Sequence, residues 1–283
     1  MQITVISGKG GTGKTTVATN LAYISNKLGN NTCYADLDVE APNGAIFLKP
    51  SISTTTDVTI LIPEVDDSKC ISCGLCSEIC RYGAISFAGK KVEIFPNLCH
   101  SCGGCYLVCP TNAISENEMR VGQIEYGKAY GFDFYQGKLD IGKREAVRII
   151  DELNNILTEK DSIIFADASP GTTCPVVSAC RNADFVLAVT DPTPFGISDL
   201  KLTLDMIKRL SIPLGIFINR SDIGDLYRLE SLTRSRNIPI LGKLNYSREI
   251  AENYSSGKLL TQISSDIEDL FIQLFDRLKG MVK

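Results

Sequence analysis

The sequence has one histidine, His100, and no apolar run that approaches the roughly 18 residues a membrane-spanning helix needs. No signal-peptide pattern precedes the first strand-like run, so a cytoplasmic location without stable membrane insertion is expected. Neither sign of charge is in strong excess: 29 Lys and Arg against 33 Asp and Glu leave −4, which argues against a general nucleic-acid binder. Apolar residues make up 44% and charged residues 22% of 283 positions, the composition of a soluble globular chain with one large core and a small module. What the chain does have is cysteine, 11 in all. In a reducing compartment these read as metal ligands or redox groups, not as a disulfide scaffold.

The opening run Met1-Gln-Ile-Thr-Val-Ile-Ser7 leads into Gly8-Lys-Gly-Gly-Thr-Gly-Lys-Thr-Thr16, and a helical pattern follows at Val17, Leu21, Ile24 and Leu28. Strand, glycine loop and helix in that order fit a Walker A phosphate loop. The backbone N–H groups of Gly8, Gly10, Gly11, Thr12, Gly13 and Thr16 cradle phosphates at a helix N-terminus. Lys14 reaches the β- and γ-phosphates, and the Thr15 hydroxyl ligates Mg²⁺. A second strand (32–35) ends in the acidic turn Asp36-Leu-Asp-Val-Glu-Ala-Pro-Asn43. Such early alternation of strand and helix predicts a doubly wound α/β fold with a mostly parallel sheet.

From about residue 63 the pattern changes. Cys70-x2-Cys73-x2-Cys76-x3-Cys80 is followed, 29 residues on, by Cys99-x2-Cys102-x2-Cys105-x3-Cys109-Pro110, and Ala84-Ile85-Ser86 falls on Ala113-Ile114-Ser115. Three cysteines at i, i+3 and i+6 hold one cubane while the fourth serves the other cluster, as in bacterial ferredoxins. The spacing therefore assigns Cys70, Cys73, Cys76 and Cys109 to one [4Fe–4S] cluster, and Cys99, Cys102, Cys105 and Cys80 to a second. Two zinc knuckles are the alternative, but they leave the x3-Cys ending unexplained. Arg81 stands where the ferredoxin pattern has proline, which puts the local turn in question and not the ligands. His100, inside the second cysteine loop, is read as a solvated or hydrogen-bonding residue because four thiolates already complete the set.

Residues 119–140 alternate apolar and polar, with Ile124, Tyr126, Tyr130, Phe132 and Phe134 on one side, and predict short strands or a hairpin. A helix over 142–157 and a strand over 162–167 follow. The strand ends in Asp167, an apolar run closing on a carboxylate that suits Mg²⁺ binding through water. Strands at 185–190, 214–219 and 238–241 complete the sheet. The expected division is 1–62 and 118–283 for a split ATPase domain and 63–117 for an inserted ferredoxin α+β module. The last helix, with Ile267, Leu270, Phe271, Leu274, Phe275 and Leu278 on one face, is read as docking on the core, since its mixed charges suit no anionic membrane.

Lysines at both ends of the glycine run, Lys9 and Lys14, resemble the deviant Walker A signature of the MinD/ParA superfamily (SIMIBI-type P-loop NTPases). That superfamily includes the nitrogenase iron protein and Mrp-type iron–sulfur carriers. With its double-cluster insert the whole chain looks like the MinD-superfamily ATPases that carry an inserted ferredoxin domain. The resemblance implies that Lys9 reaches across a nucleotide-dependent dimer, formed with an identical or a related chain, to the partner's phosphates. It gives Asp38 the orientation or deprotonation of the attacking water, and places Asp36 and Asp167 near Mg²⁺. Asn43 then falls at the dimer face, Asp167-Ala-Ser-Pro-Gly171 in the second switch, and Asn219 on the adenine. Asn219-Arg-Ser-Asp222 also fits a loose guanine-reading motif; the resemblance favours ATP. Cys33 and Cys180 read as core residues. Cys174, where the iron protein carries a bridging-cluster ligand, has two readings: a redox or transient cluster ligand, or packing.

These elements together imply a Mg-ATPase with two [4Fe–4S] clusters, coupling nucleotide-driven dimer and switch changes to electron transfer or metallocofactor handling with a redox or cofactor-bearing partner protein. A cluster carrier and a ParA-like positioning ATPase that senses redox state are the alternatives.

Overall fold

The computed structural model describes residues 1–89 and 91–282. In chain order the elements are β1 (Gln2–Ile6), α1 (Lys14–Lys27), β2 (Thr32–Leu37), α2 (Gly44–Leu48), β3 (Ser51–Val65), α3 (Leu75–Ile79), β4 (Ile85–Ala88), β5 (Lys91–Ile94), α4 (Gly104–Val108), β6 (Ile114–Ala129), β7 (Phe132–Leu139), α5 (Ala146–Thr158), β8 (Ile163–Ala168), α6 (Cys174–Ala179), β9 (Phe185–Thr190), α7 (Pro194–Leu210), β10 (Leu214–Asn219), α8 (Leu226–Ser235), β11 (Ile240–Leu244), α9 (Arg248–Ser255) and α10 (Ser265–Met281). Two compact units result: the first holds Met1–Thr56, Gln123–Leu139 and everything from Glu145 on; the second holds Asp57–Gly122 and Asp140–Arg144. The expected 63–117 span lies inside the second unit.

In the sheet the order is β11-β10-β9-β1-β8-β2-β7-β6-β3. β1 runs parallel to both β8 and β9, so two strands consecutive in the chain lie on opposite sides of it. A crevice opens at such a switch point, outside the C-terminal ends of the strands. β1, β2 and β9 are buried along their whole length, as strands covered on both faces are. Ile3 and Val5 join one apolar cluster with Leu21 and Ile24 of α1 and Phe271, Leu274, Phe275 and Leu278 of α10. On the opposite face the Thr4 hydroxyl donates to the Ala179 carbonyl of α6 at 3.3 Å. The last helix therefore docks on the core, starting from Ser264, whose hydroxyl accepts the Ile267 N–H. Among the described residues no helix is long and apolar enough to cross a membrane.

Several boundaries differ from the pattern reading. Tyr130 does not share the buried stripe; it is exposed, in a two-residue turn with Gly131 where both φ are positive (48° and 90°), the geometry that joins β6 to β7 as a hairpin. β3, fifteen residues long, was not anticipated. The helix expected from 142 begins at Ala146, and the last strand occupies Ile240–Leu244.

In the second unit the 29-residue repeat is expressed in the backbone. Gly74 and Gly103 are both left-handed (φ 78° and 69°) immediately before α3 and α4, and so are Ser72 and Ser101. β4 and β5 pair antiparallel, Ile85 opposite Ile94. The core is small: Cys76, Ile85, Cys105 and Ile114, with Val65, Val92 and Ile94 packed partly buried against them.

Candidate functional site

The phosphate loop joins β1 to α1 in the first unit. Gly13 caps α1 at φ 97°, and a side chain there would strike the Asn219 amide, so conformation and space both require glycine. Lys14 is buried, with Nζ 2.6 Å from Asp167 Oδ1 and 4.0 Å from Asp38 Oδ2. Burial opposes its charge, but the contact with Asp167 outweighs that and holds its pKa above the ordinary value.

Asp36 and Asp167 lie opposite each other at the ends of β2 and β8. Both are fully buried. Asp36 Oδ2 accepts the N–H groups of Gly44 (2.8 Å) and Asn43 (3.0 Å), and Oδ1 accepts that of Asp38 (3.1 Å). Burial, then the charge of Asp167, pushes the Asp36 carboxyl up to about 7. Asp38 takes the Ser169 hydroxyl at 3.1 Å and is also raised by burial. Three carboxylates thus face one ammonium in a space from which water is largely excluded. Crowding of three carboxyl groups around one ammonium raises Asp36 and Asp38, and a divalent cation bound there would favour their ionised forms. Among the described residues no group of three or more His, Cys, Asp or Glu closes around a single ion. Magnesium does not need one, since it takes one or two carboxylates together with phosphates and water; Thr15, Asp36 and Asp167 are the donors at hand.

Lys9 Nζ lies 3.5 Å from Asp191 Oδ1 and donates to the Thr193 hydroxyl at 3.3 Å. Asp191, buried, also takes Arg220 Nη2 at 2.8 Å, and Arg220 donates to the Gly11 carbonyl at 2.7 Å. Sequence reading missed Asp191, although 185–190 is an apolar run closing on a carboxylate, the same signal that marks Asp167. Asn219 Nδ2 donates to the Thr12 carbonyl at 2.8 Å, and its Oδ1 accepts the Arg220 N–H at 3.0 Å. A cavity of about 240 Å³ adjoins the loop, lined by Gly13, Thr16, Asn219, Arg220, Tyr246 and Tyr254. Tyr34 was also missed; it donates to Asp167 Oδ2 at 3.2 Å.

The second unit holds two further cavities. Cys70, Cys73, Cys76 and Cys109 line one, and Cys80, Cys99, Cys102 and Cys105 line the other. Each draws three cysteines from one repeat and the last from its mate. The Ala84 N–H points at Cys80 Sγ (3.3 Å) and the Ala113 N–H at Cys109 Sγ (3.2 Å), again 29 residues apart. Among the described residues no group of three or more His, Cys, Asp or Glu is placed to hold a metal ion, the cysteines of both cavities included. His100 stacks on Tyr82 with ring centroids 3.8 Å apart beside the second cavity. Cys33 and Cys180 are buried thiols, pushed up to about 12 by burial; Cys174 is exposed.

A parallel sheet with a glycine loop at its switch point and carboxylates at the neighbouring strand ends defines a P-loop nucleotide-binding protein. The chain belongs to the CobQ/CobB/MinD/ParA nucleotide binding domain family, whose model matches residues 3–260. It is 32% identical over 262 residues to the uncharacterized protein MJ0579 of Methanocaldococcus jannaschii, covering 91% of this chain and 90% of that one. Among solved structures it resembles the cell division ATPase MinD of Pyrococcus furiosus (TM-score 0.61, 18% identity, 99% of this chain and 98% of that one). It also resembles the septum site-determining protein MinD of Pyrococcus horikoshii in complex with Mg-ADP (TM-score 0.59, 19% identity, 98% and 95%).

Proposed function

We propose that the protein is a magnesium-dependent ATPase that couples nucleotide-driven movement of its switch segments to electron transfer through two [4Fe–4S] clusters in the second unit. The observation that carries this reading is the pair of four-cysteine cavities, each completed across the repeat, in one chain with a family phosphate loop. The Mg-ADP bound by Pyrococcus horikoshii MinD supports a magnesium nucleotide as ligand. Lys14 exchanges Asp167 for phosphate, Thr15 and the two buried aspartates hold Mg²⁺, and Asp38 orients the attacking water. The cavity beside Asn219 takes the nucleoside. Cys70, Cys73, Cys76 and Cys109 would hold one cluster and Cys80, Cys99, Cys102 and Cys105 the other; a cluster bound there would supply one-electron transfer. Dimer formation around nucleotide requires Lys9 to leave Asp191 and reach the partner's phosphates.

An anaerobic redox titration followed by EPR, with and without MgATP, tests the coupling, with Lys14→Ala as the control. For a one-electron couple about 59 mV is a tenfold change in equilibrium. A nucleotide-dependent shift of that order, absent in the control, is expected. Identical potentials would leave the clusters uncoupled from the ATPase. The likeness to MinD would then favour a second reading, a positioning ATPase, which predicts ATP-dependent binding to a surface such as DNA or lipid vesicles.

A further inference from the structure

Tyr34 is a tyrosine in the middle of a strand buried along its whole length, and it is itself fully buried. Its ring stacks on Phe134, centroids 5.6 Å apart and planes 17° from parallel, which fixes the direction in which the hydroxyl points. That hydroxyl donates to Asp167 Oδ2 at 3.2 Å, while the other oxygen, Oδ1, takes Lys14. Its tip also rests against Gly44, where a side chain would overlap the phenol. Gly44 opens α2 and supplies one of the N–H groups that grip Asp36. One phenol therefore touches both acidic segments of the cation site. A core tyrosine that needed only to fill space would be served as well by phenylalanine, without a hydroxyl to satisfy.

We propose that Tyr34 is a positioning residue for the magnesium-side carboxylate: by holding Oδ2 of Asp167 it keeps Oδ1 aimed at the loop, and by abutting Gly44 it sets Asp36 against Asp167. Lys14 and the cation then use the same oxygen in turn, and the carboxylate does not have to be oriented anew. The proposal rests on the magnesium-nucleotide reading of the site.

Equilibrium titration of the full chain with a fluorescent ATP analogue, in Mg²⁺ and in EDTA, tests it. Partners behind a metal ligand contribute about ten- to a hundredfold to metal affinity. In Tyr34→Phe, which keeps the ring and its stacking, the gain in affinity that Mg²⁺ confers should shrink by about tenfold, and the Mg²⁺ concentration for half-saturation should rise to match. Gly44→Ala, which displaces the hydroxyl and leaves Tyr34 in place, should move the same ratio in the same direction. A Tyr34→Phe protein with an altered melting temperature but a wild-type Mg²⁺ dependence overturns the positioning role alone. A wild-type protein that binds no nucleotide, or whose binding survives Lys14→Ala, overturns the nucleotide reading and this proposal with it.

Discussion

Asp36 carries the pH behaviour of the cation site. A carboxyl raised to about 7 in the folded chain, against about 3.9 when unfolded, binds its proton more tightly in the native state. Between those values the native protein holds more protons than the unfolded one, so its stability falls as pH rises. Asp38, also raised, has the same sign, while Lys14, raised above its ordinary value, acts only near pH 10 and beyond. Glu125 and Asp133 are lowered, burial notwithstanding, by Lys138 and Lys128, and work below about pH 4.5. The window from 5 to 7 is therefore left to the acidic site. One proton corresponds to about 1.4 kcal/mol per pH unit, and the nucleotide-free protein in EDTA should melt a few degrees lower for each unit between pH 5 and 7. Mg²⁺ with nucleotide should flatten that slope. A melting temperature that is level or rises across this range would show Asp36 ionised throughout. The carboxylates themselves were legible, because an apolar strand closing on Asp is a local signal. Asp191 carries the same local signal and was passed over, whereas Tyr34 was not legible, because its role depends on the register of β2 against β8.

Elements were legible where their hydrophobic period stood alone. β1, α1 and the stripe of α10 follow from spacing, and β8, β9 and β10 from short, mainly apolar runs. β3 escaped because its first seven residues, Ser-Ile-Ser-Thr-Thr-Thr-Asp, are all exposed and hold a single apolar side chain, so the mainly apolar run over 58–62 marks only its second half. Gly137 lies inside β7, where the alternation of 119–140 gives no reason for a glycine. A Cβ there would sit 2.6 Å from Val39 Cγ1 and 2.8 Å from Ile149 Cγ2, so glycine is what lets α5 lie close on the strand. Gly137→Ala should cost about 1–3 kcal/mol through overpacking, seen as a lower urea midpoint with an unchanged slope. A midpoint within experimental error of wild type would mean that α5 yields without cost and the close approach is not selected.

At the scale of the whole molecule the two units differ in what can hold them together. The first buries long aromatic and aliphatic rows along a many-stranded sheet. The second has a core of two isoleucines and two cysteines, with a few partly buried neighbours. Domains below about 70–80 residues rarely gain enough from such a core and need a covalent or metal staple. No disulfide serves here, since all eight cysteines of the repeat are free thiols. If clusters bind in the two cavities, they are the staple, and their removal should unfold this unit while sparing the other. Hydrogen exchange read by mass spectrometry, on protein as isolated anaerobically and after chelation of its iron, separates the outcomes. Peptides from 57–122, above all those containing Ala84 and Ala113, whose N–H groups point at cysteine sulfur, should lose protection by orders of magnitude. Peptides from β1 and β8 should keep theirs. Equal protection before and after chelation would mean that the cysteine-lined unit folds on its small core alone, and the cavities would then lose their structural argument for a resident cluster.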